Sequence, residues 1–283
     1  MRAELVGVLV AVKDATPMAL APGMPPTLPS GPLLDEDASL QRSTRNWVHR
    51  QTGHLPGYLE QLYTFADAGR PGGERTVSVS YLGLSAAPKD PSGWRSWYEV
   101  FPWEDLREDG GRARALAESL MGWADEGPDE QECSTRRARV AVTFGLGELA
   151  WQPDMVLQRY ELLYEAGLLA QAGGVEMHQD HRRILATGLA RLRAKIEYRP
   201  VVFELLGDEF TLGELQRCVE AIAGQQVHKQ NFRRVVETQR LVEETGGRST
   251  TTGGRPAKLF RFRRQVVVER QVIGTKLPVV RTK

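Results

Sequence analysis

The C-terminal fold of this chain is decided by the stretch FTLGELQRCVEAIAGQQVHKQNFRR, residues 210–234. Thr211 is a favourable N-cap, and Glu214, three residues later, completes a capping box at the start of a helix. That helix is expected to end at Gly224, because glycine favours the left-handed C-terminal cap. Its buried face consists of Leu215, Cys218, Val219 and Ile222. A short turn then leads into a second amphipathic segment, residues 228–241, so the spacing predicts a helix-turn-helix.

The second helix of this unit has one apolar and one polar side. The apolar side carries Phe232, Val235 and Val236, with Gln239. The polar side is clustered in the first turns and consists of Lys229, Gln230, Arg233 and Arg234. Such a helix can dock through its apolar side and present its polar end to a major groove, where Arg pairs with guanine and Gln or Asn with adenine.

The residues around the helix-turn-helix complete a winged helix. Residues 201–206 are expected to form a short helix before it, and residues 241–245 and 258–264 can pair as two strands after it. The connection, GGRSTTTGGRPA at residues 246–257, contains four glycines, Arg248, Arg255 and no acid. A loop of this kind can lie along a phosphate backbone as a wing. The alternative is a solvated hairpin loop on a domain that contacts only proteins.

The charge is distributed unevenly along the chain. The formal net charge is +1, but residues 179–283 hold 21 Lys and Arg against 11 Asp and Glu, a surplus of +10, and residues 1–178 carry −9. A C-terminal third this basic favours a polyanion as its partner, whereas the acidic front part does not. The alternative is that the surplus only coats a solvated surface.

Length and composition indicate a soluble protein of one or two domains. The 283 residues are 41% apolar and 26% charged, and no apolar run reaches the roughly 18 residues that a membrane span needs. Residues 5–12, LVGVLVAV, are predicted to be a first strand rather than part of a signal sequence. Cys133 and Cys218 lie far apart, which argues against a disulfide framework or a cysteine metal site and favours a reducing cytoplasm.

The front part of the chain is predicted to be α+β, with helices behind it. Strands are expected at residues 5–12, 59–65 and 76–84, with a helix over residues 38–51 that ends at Gly53. Further helices are expected over residues 112–125, 130–144, 156–170 and 179–197.

The charge changes sign near Gly173 and Gly174, which indicates where the chain divides. We expect a first domain with trailing helices over residues 1–150, a helical linker over residues 151–178 and a winged helix domain over residues 179–283. The end of the chain, residues 265–283, has extended apolar character and could form an arm at a dimer interface or add a strand to the wing.

A segment of the first domain resembles the signature of the Nudix hydrolase fold, G-x5-E-x7-R-E-U-x-E-E-x-G, in which U is aliphatic. This segment is LPSGPLLDEDASLQRSTRNWVHRQTG, residues 28–53, in which Gly31 and Gly53 match the two glycines at a spacing one residue too long. When the signature is aligned on Gly53, its Arg, Glu, Glu and Glu positions are occupied by Asn46, Trp47, Arg50 and Gln51. The resemblance implies an α/β/α sandwich.

The chemistry of that fold depends on the missing acids. Its members hydrolyse diphosphates with Mg²⁺ or Mn²⁺ held by helix carboxylates, since hard cations require oxygen ligands. Residues 38–51 contain no acid, so we predict no catalytic residue, no required cofactor or metal, and no enzymatic activity. Asp35, Glu36 and Asp37 precede the helix and leave residual metal binding open. The alternative function is a Nudix-type hydrolase of nucleotide diphosphates with an appended regulatory domain.

A domain that keeps this fold without its acids can still bind a nucleotide diphosphate through arginines. The candidate ligand-binding residues are Arg45, Arg50, Tyr58, Tyr63, Arg95 and Trp97. The alternatives are a solvated helix face for the arginines of residues 38–51 and a place in the core for the aromatic residues. His178 and His181 are three residues apart but have no evident third ligand, so no metal site is predicted there.

Several segments, taken in order, resemble the Nudix-related transcriptional regulators of the NrtR and NadQ group. Four of them are ARLRAKIEYRP at residues 190–200, FTLGELQ at 210–216, HKQNFRR at 228–234 and GRPAKLFRF at 254–262. YLEQLYTF, residues 58–65, resembles the segment that follows the Nudix box in this group. Two more are similar to the NadQ-type branch: GWRSWYEVFPWED at residues 93–105 and QRYELLYEAG at residues 158–167.

The resemblance implies a homodimeric repressor of NAD biosynthesis or metabolism genes. Its Nudix-like domain would bind an adenine nucleotide, such as NAD, ADP-ribose or ATP, and its winged helices a palindromic operator in double-stranded DNA. The DNA-binding residues it implies are Thr211, His228, Lys229, Gln230, Asn231, Arg233 and Arg234 in the helix-turn-helix and Arg248, Arg255 and Lys258 in the wing. The ligand would favour one dimer arrangement, with the recognition helices about 34–36 Å apart in the arrangement that binds DNA.

Overall fold

The computed structural model describes residues 2–35, 39–54, 56–66, 76–198, 201–249 and 256–263. Glu36, Asp37, Arg255 and the tail at residues 265–283 lie outside the described residues.

The secondary structure follows the chain in an α+β order. The strands are β1 (Arg2–Lys13), β2 (Thr16–Leu20), β3 (Ser30–Pro32), β4 (Tyr58–Phe65), β5 (Thr76–Leu84), β6 (Trp94–Ser96), β7 (Val242–Ser249) and β8 (Ala257–Phe262). The α-helices are α1 (Leu40–Thr52), α2 (Trp97–Val100), α3 (Gly111–Asp125), α4 (Glu130–Phe144), α5 (Val156–Glu165), α6 (Leu169–Ala172), α7 (His181–Tyr198), α8 (Leu212–Ala223) and α9 (Lys229–Thr238). Short 3-10 helices cover Pro102–Glu104 and Val201–Leu205. Among the helices of the described chain, none is both long and apolar enough to cross a membrane.

The first sheet is built around β1. Its strand order is β4-β5-β1-β2-β6, and β3 also pairs with β1. β1 and β5 are parallel, and the other pairs are antiparallel. Leu5 and Leu9 pack on the side of α1, whereas Val6 and Val8 pack on the side of α7. A strand covered on both faces requires a continuous apolar run, which is why β1 does not alternate with polar residues.

Two glycines allow the helices to approach β1 closely. A Cβ atom at Gly7 would lie 2.8 Å from Val48 Cγ2 of α1, and one at Gly188 of α7 would lie 2.8 Å from Val8 Cγ1. Both separations are well inside van der Waals contact, so a larger residue would force the helix away from the strand. α1 and α7 thus cover opposite faces of the sheet, and the predicted α/β/α sandwich is confirmed.

Most predicted elements are present, and the differences have local causes. α1 ends at Gly53, whose φ of 71° is left-handed, as expected. The helix predicted over residues 156–170 ends earlier, at Glu165, because Gly167 adopts a φ of 69° before α6 begins. The sequence did not predict β2, β3 and β6, since strands of three to five residues contain too few alternations to be recognised.

α7 joins the two parts of the chain. The division at residue 179, drawn from charge, assigned this helix to the winged helix domain. In the structure, Leu185 and Leu189 of α7 share a continuous hydrophobic core with Val6 and Val8 of β1, and the same core extends into α8 and α9. α7 is therefore a layer of the sandwich and also a support for the helix-turn-helix.

The C-terminal part forms the predicted winged helix. Thr211 Oγ1 accepts a hydrogen bond from Glu214 N at 3.1 Å, and Glu214 Oε2 accepts one from Thr211 N at 2.6 Å, which completes the capping box. α8 ends at Gly224, where φ is 69°. β7 and β8 pair as an antiparallel hairpin, and the backbone of Phe210 bridges to Phe260 to complete the small sheet.

His181, the first residue of α7, forms a buried contact to the loop before β3. Its Nδ1 accepts a hydrogen bond from Leu28 N at 3.0 Å. Burial, with a smaller contribution from the neighbouring His178, lowers the pKa of His181 to about 4. The unfolded chain, with a histidine pKa near 6.5, therefore takes up this proton more readily than the folded chain does.

We expect this histidine to make folding less favourable in mild acid. The neutral His181 contributes fully to the free energy of unfolding above pH 6.5. This contribution is lost as the pH falls from 6.5 towards 4, and the loss is about 2 kcal/mol at pH 5. In the His181→Asn variant, the amide oxygen can accept the same hydrogen bond but does not titrate. Urea unfolding at pH 7 and pH 5 should show the larger loss of stability in the wild type. An equal loss in both proteins would show that His181 does not cause it.

Candidate nucleic-acid interface and ligand cleft

α9 is docked through its apolar side and exposes its polar end. Phe232 and Val236 are completely buried, and Val235 is partly buried. The six residues of this helix that were predicted to contact DNA are all exposed, namely His228, Lys229, Gln230, Asn231, Arg233 and Arg234. The docked side fixes the rotation of α9 about its axis, so the polar side chains point away from the protein body.

The cationic end of α9 is not neutralised by its neighbours. Within the described residues, Lys229 and Arg233 form no ion pair or side-chain hydrogen bond, and the first turn of α9 contains no acid. Arg234 donates a hydrogen bond to Asn231 Oδ1 at 2.9 Å, which leaves its charge uncompensated. The N-terminus of a helix also carries a partial positive charge. These groups together form a surface that favours phosphate oxygens and base edges.

The wing carries both free and paired cations. Arg248 of β7 is exposed and lies opposite Lys258 of β8 in the hairpin. Lys258 Nζ is 2.8 Å from Glu244 Oε1, and Arg261 Nε is 2.6 Å from Glu243 Oε1. Exposed pairs of this kind are worth about 0–1 kcal/mol, so a phosphate can compete for Lys258. Arg255, the third residue predicted for the wing, lies outside the described residues.

Thr211 does not fit the role of a DNA contact. Its side chain caps α8, and only 7% of the residue is exposed. Its hydroxyl oxygen accepts the hydrogen bond from Glu214 N that the helix end requires. The inclusion of Thr211 among the DNA-binding residues was therefore wrong, and its role is to fix α8.

A cleft of about 420 Å³ opens where α1 ends and β6 begins. Its lining includes Gln51, Thr52, His54, Asp90, Ser92 and Arg95. Arg95 donates hydrogen bonds to the carbonyl oxygens of Ala21 at 3.3 Å and Gly23 at 3.2 Å, which hold its guanidinium group at the cleft. The volume lies within the range of small-molecule sites.

The six candidate ligand-binding residues do not form one site. Arg95 alone lines this cleft. Arg45 donates to the carbonyl oxygen of Gly57 at 3.3 Å, and Arg50 lies exposed over the Trp47 ring. Tyr58 is on the opposite face of the sheet, where its hydroxyl accepts a hydrogen bond from Lys195 Nζ of α7 at 2.5 Å. Tyr63 is 60% exposed on β4.

The sequence predicted Trp97 as a ligand-binding residue, but in the structure it is a core residue. It is completely buried, so its ring has no face available for a nucleotide. Trp97 begins α2 directly after β6, and this local structure places its ring in the core. Gln51, Thr52 and His54 were missed as cleft residues, because only the signature glycine Gly53 beside them marked the end of α1.

The residues at the signature positions do not fit a divalent metal. Trp47 packs against Gly31 so closely that a Cβ there would lie 2.2 Å from its ring. Gln51 accepts a hydrogen bond from Ser30 N at 3.1 Å and donates one to Ser30 O at 2.6 Å. These side chains fasten α1 to β3 instead of presenting oxygens to a cation. No group of three or more His, Cys, Asp or Glu suitable for a metal occurs within the described residues.

Comparison with known protein families identifies the C-terminal part. Residues 202–262 match the family model of the NrtR DNA-binding winged helix domain. These residues are therefore similar to the winged helix domain of that family. The match spans α8, α9 and the β7–β8 hairpin and begins after α7. The described residues proposed for DNA contact all lie inside this matched range.

Comparisons with whole proteins extend the likeness to the first domain. The ADPR responsive transcriptional repressor NtrR of Acinetobacter baylyi is 39% identical over 94 residues, a match that covers 33% of this chain and only 37% of that protein. The crystal structure of Shewanella oneidensis NrtR complexed with a 27mer DNA aligns with a TM-score of 0.57 and 22% identity, over 97% of this chain and 99% of that chain. The MutT/nudix family protein from Enterococcus faecalis aligns with a TM-score of 0.52 and 17% identity, over 93% and 88% of the two chains. These structural matches confirm the predicted fold, a Nudix-like sandwich followed by a winged helix.

Proposed function

We propose that this protein is a transcriptional regulator that binds duplex DNA through α9 and the wing and responds to a nucleotide bound in its Nudix-like domain. The observation that carries the proposal is the exposed, uncompensated cationic end of α9 within an NrtR winged helix domain. Repression fits best, because the relative from Acinetobacter baylyi is named a transcriptional repressor. Genes of NAD metabolism are the targets that the resemblance to the NrtR and NadQ group favours.

The geometry of α9 supports a particular set of DNA contacts. The helix enters the major groove with His228, Gln230 and Asn231 near base edges, while Arg233 and Arg234 reach guanine or phosphate. Lys229 serves phosphate as a point charge. Arg248, Arg255 and Lys258 follow the backbone beside the groove. Two chains, related by twofold symmetry, would read a palindromic operator whose half-sites are about 34–36 Å apart.

ADP-ribose is the effector that we favour over NAD and ATP, since the Acinetobacter baylyi relative is named ADPR responsive. The cleft beside β6 offers a guanidinium group for a diphosphate at Arg95. The lack of acids in α1 supports binding without hydrolysis. The chain would thus sense a nucleotide without consuming it.

The DNA assignment is tested by removing the two arginines of α9. We expect the Arg233→Ala/Arg234→Ala variant to lose about 2–4 kcal/mol of affinity for duplexes that the full chain has enriched from a random-sequence library, and the salt dependence to weaken by about one unit of slope per lost phosphate contact. The Arg112→Ala/Arg114→Ala variant removes the same charge from exposed positions of α3 and should keep its affinity. Unchanged binding by the α9 variant would favour a module that contacts only proteins.

The ligand assignment is tested at the cleft. Arg95→Gln should weaken ADP-ribose binding about tenfold or more in titration calorimetry, because a charge-assisted hydrogen bond is worth about 1.5–3 kcal/mol. Tyr58→Phe, on the opposite face of the sheet, should leave the affinity within about twofold. A loss of affinity in Tyr58→Phe but not in Arg95→Gln would place the ligand on the face of α7 instead.

The absence of hydrolysis is tested directly. Incubation of the full chain with ADP-ribose, NADH, NAD or ATP and either Mg²⁺ or Mn²⁺ should produce no cleavage, since no carboxylate of α1 can hold the metal. The assay should include an active Nudix hydrolase to demonstrate sensitivity. Turnover near about one per second, an ordinary enzyme rate, would show that the chain is a hydrolase.

A further inference from the structure

The turn between α8 and α9 rests on residues 98–107 of the first domain. Tyr98 Oη donates a hydrogen bond to Ala221 O at 2.6 Å, in the last turn of α8. Leu106 N donates to Gly224 O at 2.7 Å, and Gln226 Nε2 donates to Arg107 O at 2.8 Å. The segment that orients the recognition helix is therefore bonded to the Nudix-like domain at three successive points.

Gly224 brings the two backbones into direct contact. A Cβ atom at this position would lie 2.2 Å from Glu104 O and 3.1 Å from Tyr98 Oη, and φ is 69°. Any side chain would push the turn away from residues 98–107. This glycine serves both to end α8 and to seat the turn on the first domain.

The same segment continues directly from the wall of the ligand cleft. Arg95 of β6 lines the cleft, and Tyr98 of α2 follows three residues later, within about 10 Å of chain. Ser96 Oγ accepts a hydrogen bond from Tyr98 N at 3.2 Å, and Trp97 between them is completely buried. Short, anchored segments of this kind transmit a displacement instead of absorbing it.

A second contact ties this segment to the hairpin between β1 and β2. Arg107 NH1 donates to Ala15 O at 2.7 Å, and its guanidinium group lies 5.0 Å from the centre of the Tyr98 ring. Asp14 and Ala15 have φ values of 50° and 57° in the hairpin turn. Since β2 pairs with β6, the hairpin and the cleft wall belong to one sheet.

We propose that residues 98–107 are a mechanical link between the ligand cleft and the recognition helix, with Tyr98 as the positioning residue that holds the turn before α9. The inference rests on the proposed function and specifies how it is regulated. A ligand that contacts Arg95 favours one position of β6, and through Tyr98 it favours one orientation of α9. Burial raises the pKa of Tyr98 to about 12, so its hydroxyl remains a hydrogen-bond donor at physiological pH.

Tyr98→Phe in the full chain tests the link, because it removes the hydroxyl and keeps the ring. We expect amide hydrogen exchange in residues 225–232 to become about fivefold faster without ligand, as the loss of one hydrogen bond implies. ADP-ribose affinity should stay within about twofold, whereas the change in DNA affinity caused by ADP-ribose should fall from about tenfold to less than threefold. Tyr81→Phe, at a buried tyrosine of β5, is the matched control and should change neither quantity.

A second variant covers the case in which Tyr98→Phe does not fold. Gln226→Ala removes an exposed side chain and its bond to Arg107 O, and it should change exchange and coupling in the same direction. Normal exchange and normal coupling in the variant that folds would overturn the link while leaving the proposed function intact. If ADP-ribose does not bind the wild type, the effector of the proposed function is wrong. The link is then tested by amide exchange in the unliganded proteins. Faster exchange in Tyr98→Phe than in Tyr81→Phe supports the link, and equal exchange overturns it.

Discussion

The carboxylate of Glu104 holds the parts of the molecule together. Arg159 of α5 donates to its two oxygens at 2.6 and 2.9 Å, and Arg193 of α7 donates to Oε2 at 2.5 Å, with all three side chains buried. Burial alone would raise the pKa of Glu104, but the two guanidinium groups outweigh it and hold the pKa below its usual value. Carbonyl oxygens accept the remaining N–H groups: Arg159 donates to Thr143 O and Gln152 O, and Arg193 donates to Pro153 O and Ile222 O. Removal of one partner would leave a buried charge and cost about 3–5 kcal/mol.

The buried charges of Glu104, Arg159 and Arg193 limit which parts of the molecule a bound ligand could displace. Glu104 belongs to the first domain, Arg159 to the predicted linker, and Arg193 reaches Ile222 O of α8 at 2.7 Å. Because these buried charges cannot separate without losing their partners, the winged helix cannot simply detach from the sandwich. The proposed response to a ligand would therefore be a shift of the recognition helix about this fixed point, and the hydrogen bonds of Tyr98 and Gln226 lie where such a shift would act.

The sequence predicted most of the fold because local signals agreed with the tertiary structure. The capping box at Thr211, the stop at Gly224 and the two faces of α9 each depend on residues that are close in sequence. The ligand cleft could not be predicted in the same way, since Gln51, Asp90 and Arg95 come from three separated segments. Trp97 was misassigned because burial is decided by α2 packing against the rest of the chain, not by its flanking residues. Among the ligand-binding residues predicted from the sequence, Arg95 alone lines the cleft.

The net charge counted from the sequence differs from the positive charge that is exposed and available to bind DNA. Arg182 and Arg193 of α7 are buried, and Arg183 and Lys195 are paired with Glu161 and Glu60, so this helix uses most of its cations inside the protein. Within the described residues, the cations of α9 form no ion pair and remain available for phosphate. A few free cations in each described winged helix release few counterions, which gives one chain a weak hold on DNA. Two chains on one operator would multiply that affinity, which is consistent with the proposed binding of a palindromic operator by two chains.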